Sequence, residues 1–124
     1  MFARKTVTGA LVFLAAFGSA GAALHTHLVK ADPAVDGTVA ETPSVVRLWF
    51  NERPEVALSS AVLLKDAAPI ARIVMAKTDD SLSISGPVPV KLEPGEYTVQ
   101  WKTGSADGHP VRGSYKFSFT PAAP

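Results

Sequence analysis

The 124-residue chain has no cysteine. No disulfide can staple the fold, so stability must come from packing, and any metal site must use nitrogen, oxygen or methionine sulfur. No serine stands in a nucleophile-elbow pattern and no glycine-rich phosphate loop occurs, which leaves hydrolytic and nucleotide chemistry without support. There is no basic run, so nucleic acid is disfavoured as a partner. Methionine is scarce, with only Met1 and Met75, and no segment carries a helical apolar period.

What is present begins with three successive compositions. Met1 to Lys5 carries two positive charges, Leu11 to Phe17 is apolar, and Gly18 to Ala23 is dominated by small residues. This order is that of a secretory signal peptide. The alternative is a membrane anchor, because Thr6 to Leu24 carries no charge and is about long enough to span a bilayer. Thr6, Thr8, Gly9, Gly18, Ser19 and Gly21 dilute its apolarity, which favours export. Residues 1–24 are therefore read as a removable signal peptide and residues 25–124 as one domain, with no membrane insertion after cleavage. Loss of Arg4 and Lys5 would leave 10 basic against 11 acidic residues.

The remaining chain reads as short strands punctuated by proline and glycine. Val45 to Phe50 is rich in β-branched and aromatic residues, and Ala61 to Leu64 and Ile70 to Met75 are apolar runs. Glu96 to Lys102 alternates, with Tyr97, Val99 and Trp101 on one face, and Ser114 to Phe119 repeats the pattern with Tyr115, Phe117 and Phe119. A period of two marks half-buried strands, and these two can pair as a hairpin with their aromatics inward. Turn signals lie at Asp36-Gly37, Asn51 to Pro54, Asp79-Asp80, Pro94-Gly95 and Asp107-Gly108. Together they predict an all-β sandwich or barrel of Greek-key type.

The histidines are unevenly placed: His25 and His27 follow the signal-like segment, and His109 lies in the loop SADGHPVRG of the expected hairpin. In extended backbone, residues two apart project to one side, so Asp107 and His109 can face one ion. Gly108 lets the backbone turn between them, and Pro110 restricts His109 to extended conformations. Taken alone, Asp-Gly is an ordinary turn dipeptide and His109 a solvated loop residue. Cleavage before His25 would change that balance. Its free α-amine and imidazole would supply two nitrogens which, with His109 and an Asp107 oxygen, make a nitrogen-rich set suited to Cu(II). A free α-amine has an unperturbed pKa of about 7.7–8.0, so metal must displace its proton and binding should weaken in acid.

The segments HTHLVKADPAVDGTV, VRLWFNE and PGEYTVQWKTGSADGHPVRGSYKFSF resemble, in order, the CopC-type periplasmic copper-binding proteins. The resemblance implies a Greek-key β-barrel of cupredoxin-like or immunoglobulin-like form that carries copper without catalysing a reaction. It also implies one Cu(II) per chain, held by the amine and imidazole of His25, the carboxylate of Asp107 and the imidazole of His109. Glu52 falls at the family's Phe-x-Glu position, as an acid able to orient a ligand or as a solvated turn residue; His27 is an auxiliary candidate. Some members hold Cu(I) in a methionine-rich loop. Met75 alone cannot build such a site, so none is expected here. Trp101 sits where the family has a tryptophan, with core packing as its default role; Trp49 has no assigned role.

Alternatives remain at this level. Leu24 is an atypical residue before a cut, whereas cleavage after Ala22 satisfies an A-x-A pattern and leaves Ala23-Leu24-His25, whose amine, amides and third-position imidazole form a different square-planar site. Cleavage after Ala23 would disrupt both arrangements. Three functions follow: a periplasmic copper carrier or buffer that serves resistance, homeostasis or delivery, a copper-dependent oxidative enzyme using a histidine brace, and an immunoglobulin-like interaction module without metal. The expected partners of the first are copper ion and an inner-membrane importer or another periplasmic copper protein.

Overall fold

The structure is a computed structural model that describes residues 26–123; the signal segment and His25 lie outside the described residues. The chain forms β1 (Leu28–Asp32), β2 (Thr38–Val39), β3 (Val45–Phe50), a 3-10 turn (Val56–Leu58), β4 (Ser60–Lys65), β5 (Ala68–Val74), β6 (Ala76–Lys77), β7 (Ser83–Pro87), β8 (Gly95–Gly104) and β9 (Pro110–Phe119). The strands make two sheets, one in the order β1-β3-β7-β6 and the other β2-β9-β8-β4-β5. Apart from the short parallel pairing of β2 with β9, every pairing is antiparallel. The expected all-β fold is thus a sandwich.

Alternation places the core between the sheets. Val46, Leu48 and Phe50 of β3 and Ile84 of β7 face Leu63, Ile73, Val99, Trp101 and the β9 aromatics from the other sheet. The rings interlock: Phe50 meets Trp101 edge-on at 5.2 Å between centroids, and Tyr97 stacks on Phe117 at 5.5 Å. Each such ring buries a large apolar area and adds a directional contact of about 0.5–1.5 kcal/mol beyond that burial. Met75 is buried in the same core, as its place at the end of IARIVM suggested. Trp49 points outward, with Lys30 Nζ and Arg47 Cζ at 4.4 and 4.6 Å from its ring centroid, so cation–π contacts cover the indole on the solvent side.

β7 has no counterpart in the sequence reading. Its residues SISGP bury Ser83, Ile84 and Gly86, but only Ile84 is a large apolar side chain, so a hydrophobic pattern does not reveal it. Gly86 runs so close to β5 that an added Cβ would stand 2.2 Å from the Val74 carbonyl oxygen. The small residues are what let β7 cover the core at that edge.

The hairpin β8–β9 is paired without interruption from Gly95↔Phe119 to Gly104↔Pro110. It is braced on one side by β4, which pairs with β8 from Lys65↔Tyr97 to Ser60↔Lys102. Trp101 lies opposite Gly113, and a Cβ there would come within 2.4 Å of the Trp101 ring. The indole therefore occupies the space that a side chain at 113 would need, locking the two strands one turn below the hairpin tip.

Candidate metal centre

Three segments converge at one end of the sandwich. β1 begins at Leu28, which pairs with Phe50 at the end of β3, and the Phe50 ring rests on Trp101 in the last half of β8. The segment leaving β3 reaches the hairpin tip directly, because the Glu55 N–H donates to the Gly104 carbonyl at 3.0 Å. Thr26, just ahead of β1, is 3% exposed, so the chain immediately after His25 is seated against the protein.

The tip itself is residues 105–109. Gly108 N–H donates to the Ser105 carbonyl at 2.9 Å, and Ser105 N–H donates to the His109 carbonyl at 2.9 Å, which closes a turn on top of the ladder. Gly108 takes φ +89, a value that L side chains rarely adopt. Asp107 and His109 therefore meet across a turn, and not through the extended backbone that their spacing suggested. Asp107 Oδ2 lies 2.9 Å from His109 Nδ1, and His109 N–H donates to Asp107 Oδ1 at 3.3 Å.

Ser105 was given no role in the sequence reading, and it organises the tip. Its hydroxyl donates to Asp107 Oδ1 in a short contact and accepts the His109 N–H at 3.2 Å. Ser105 is buried, whereas Ala106 to Pro110 are exposed. The tip is thus an exposed loop fixed by one buried hydroxyl. The signal for it was a serine two residues before an aspartate, a pattern that favours side-chain-to-backbone turns.

The same contacts explain the charge of Asp107. The Ser105 hydroxyl, then the His109 ring and the His109 N–H, hold its carboxyl at about 2, below the usual 3.8. Each of these bonds favours the ionised form. An anionic oxygen beside an imidazole nitrogen, open to solvent, is a donor pair for a cation of borderline softness.

The other sequence candidates lie elsewhere. His27 is exposed; its N–H donates to Asn51 Oδ1 at 2.7 Å, and its carbonyl accepts from Asn51 N–H at 3.1 Å. Its backbone is committed to that exchange, so its amide nitrogen is not free to join a metal chelate with a terminal amine as it would be in a short peptide. Glu52 is half-buried in the same loop. Among the described residues, no three His, Asp or Glu side chains gather as a metal site: Asp107 and His109 are brought together, while His27 and Glu52 are not joined to them. Among those residues no helix is long and apolar enough to cross a membrane.

Fold and tip define a small β-sandwich module that presents an acid–imidazole pair on one hairpin. Residues 28–120 match the CopC domain, and the chain belongs to the CopC family. It is 32% identical over 128 residues to copper resistance protein C of Xanthomonas campestris pv. juglandis, covering 95% of this chain and 98% of that protein. Among solved structures, CopC from Methylosinus trichosporium OB3b superposes with a TM-score of 0.73 at 30% identity, over 81% of this chain and 98% of that one. PcoC, a methionine-rich copper resistance protein from Escherichia coli, gives 0.69 at 29% identity, over 77% and 99%.

Proposed function

We propose that the exported protein, processed to begin at His25, is a periplasmic copper carrier or buffer that binds one Cu(II) per chain. It would serve copper resistance, homeostasis or delivery to an inner-membrane importer or another periplasmic copper protein, without catalysing a reaction. The ligands are the α-amine and imidazole of His25, the carboxylate of Asp107 and the imidazole of His109. Glu52 orients a ligand from outside the set, and His27 is auxiliary.

The observation that carries this reading is the 2.9 Å separation of Asp107 Oδ2 and His109 Nδ1 on a fixed, exposed tip. Adjacent donors on a tetragonal ion with bonds of about 2.0–2.1 Å are roughly 2.8–3.0 Å apart. The pair thus already stands at the separation that two adjacent donors on one ion require. His25 stands three residue steps ahead of the anchored Leu28, a span of up to about 10–11 Å, and β1 starts at the end of the sandwich that carries the tip.

Membership of a family that includes proteins named for copper resistance supports copper as the cargo. The donor chemistry supports Cu(II) as the bound state. All four donors are nitrogen or oxygen, and Met75 is buried in the core, so no thioether cluster is available for Cu(I). Titration of the purified protein beginning at His25 with Cu(II), followed by tryptophan fluorescence and by metal analysis after desalting, is expected to saturate at one equivalent. No stoichiometric uptake, or uptake unchanged by Asp107→Ala and His109→Ala, would overturn the proposal.

A further inference from the structure

The solvent face of the five-stranded sheet carries a shallow groove of 580 Å³, on which Arg72, Lys102 and Arg112 converge with Ser60, Gln100 and Ser114. No acidic residue lines it. Two other cations stand beside acids: Lys116 is 3.9 Å from Glu96 on the same face, and Arg47 3.6 Å from Asp79 on the other sheet. The three groove cations have no ion pair among the described residues. Lys102 also stands directly opposite Arg112 across β8–β9, and like charges in that position destabilise a sheet. Folding alone gives no reason for this arrangement, since one acidic residue at either position would turn a repulsion into an attraction.

Register fixes where this face lies. Lys102 and Arg112 are two residues from Gly104 and Pro110, the last pair before the tip. Val74, 70% exposed, stands beside Ser60 at the edge of the same face and adds an apolar contact. Unneutralised cations around an apolar margin make an interface complementary to carboxylates, which steers association more than it tightens it.

We propose that this groove is the docking surface for a partner protein that presents an acidic segment, held so that the partner faces the Asp107–His109 tip. That the docked partner exchanges copper rests on the function proposed above; the docking itself does not. The test uses the processed protein with and without Cu(II), titrated with a hexaglutamate peptide in low salt and followed by backbone amide NMR. Shifts are expected to centre on Arg72, Lys102 and Arg112, with affinity falling as salt rises. The double reversal Lys102→Glu/Arg112→Glu is expected to weaken binding about tenfold or more, while Lys91→Glu, away from the groove, leaves it unchanged.

Wild-type affinity in the double reversal, equal loss in Lys91→Glu, or inorganic phosphate binding as tightly as the peptide would each overturn docking, the last by showing a small-anion site only. Because the reversal acts on exposed side chains and leaves Asp107 and His109 intact, its Cu(II) stoichiometry is expected to stay at that of the wild type. Peptide binding mapped to the groove in a protein that takes up no Cu(II) would sink the copper reading and leave the docking surface standing.

Discussion

The five-stranded sheet contains two hairpins whose tips are built in opposite ways. β4 and β5 are joined by Asp66 and Ala67 alone, both at positive φ, 52 and 67. Two residues in that conformation match the twist of the strands, and the backbone closes the turn unaided. At the other end of the sheet, β8 and β9 are joined by residues 105–109 through Ser105, Asp107 and His109 side chains. The first connection is as short as geometry permits. The second uses extra residues and polar side chains to hold one acid against one imidazole, and it is there that we propose the metal site.

The contrast can be broken from the shared root upward. Phe117 is 2% exposed and stacks on Tyr97 between the two tips; Phe117→Ala should cost about 3–5 kcal/mol. In urea melts that loss would be a large part of the roughly 5–15 kcal/mol available to a domain of this kind. It should unfold both hairpins together. A melt in which only one hairpin is lost would show that they are separate units.

Asp107→Ala or His109→Ala should do the reverse. Both side chains are exposed, so the urea midpoint should barely move. Cu(II) affinity should fall by more than the roughly 10–100-fold that follows loss of an outer-shell partner. An equal loss of stability and metal would mean that the tip is structural.

Ser105→Ala separates holding from ligating. Loss of the hydroxyl should raise the Asp107 carboxyl from about 2 toward its usual 3.8, visible in a carboxyl-carbon NMR titration. Cu(II) affinity should drop about tenfold, at the low end for a lost orienting group. The sign of the pH effect follows from a depressed folded value. The contacts of ionised Asp107 contribute fully above the ordinary carboxyl range and are lost as pH falls through about 2. Wild-type tip resonances should therefore persist down to about pH 3, while those of Ser105→Ala change at higher pH.

The smallest effect belongs to the other tip. Ala67→Gly removes a side chain from a left-handed conformation at the expense of unfolded-chain entropy, for a net gain of up to about 1 kcal/mol. A midpoint that falls would show that Ala67 makes contacts beyond its backbone.

These same elements show what was legible in the sequence. The β8–β9 hairpin was, because Tyr97, Val99 and Trp101 alternate against Tyr115, Phe117 and Phe119, and strict alternation has one cheap solution. The Asp66-Ala67 turn was not, since neither residue is glycine or asparagine and its two-residue length is the only cue. β7 escaped because serines and a glycine do its packing. Within the site, Asp107 and His109 were found through their spacing and the family resemblance. Ser105 was missed, because a serine's value depends on where its hydroxyl points. The way the pair meets was read only in part: the turn at Gly108, at φ +89, was signalled by Asp107-Gly108, but the two side chains meet across that turn and not by projecting to one side of extended backbone.

The most direct trial of the account compares Cu(II) titrations of two proteins that differ only at the front: one beginning at His25, the other with a single alanine placed before it. The account predicts one tightly held equivalent for the first. For the second it predicts a large loss of affinity, with the change in the copper absorption and resonance spectra expected when an α-amine nitrogen leaves the ligand set. Indistinguishable titrations and spectra for the two proteins would contradict it.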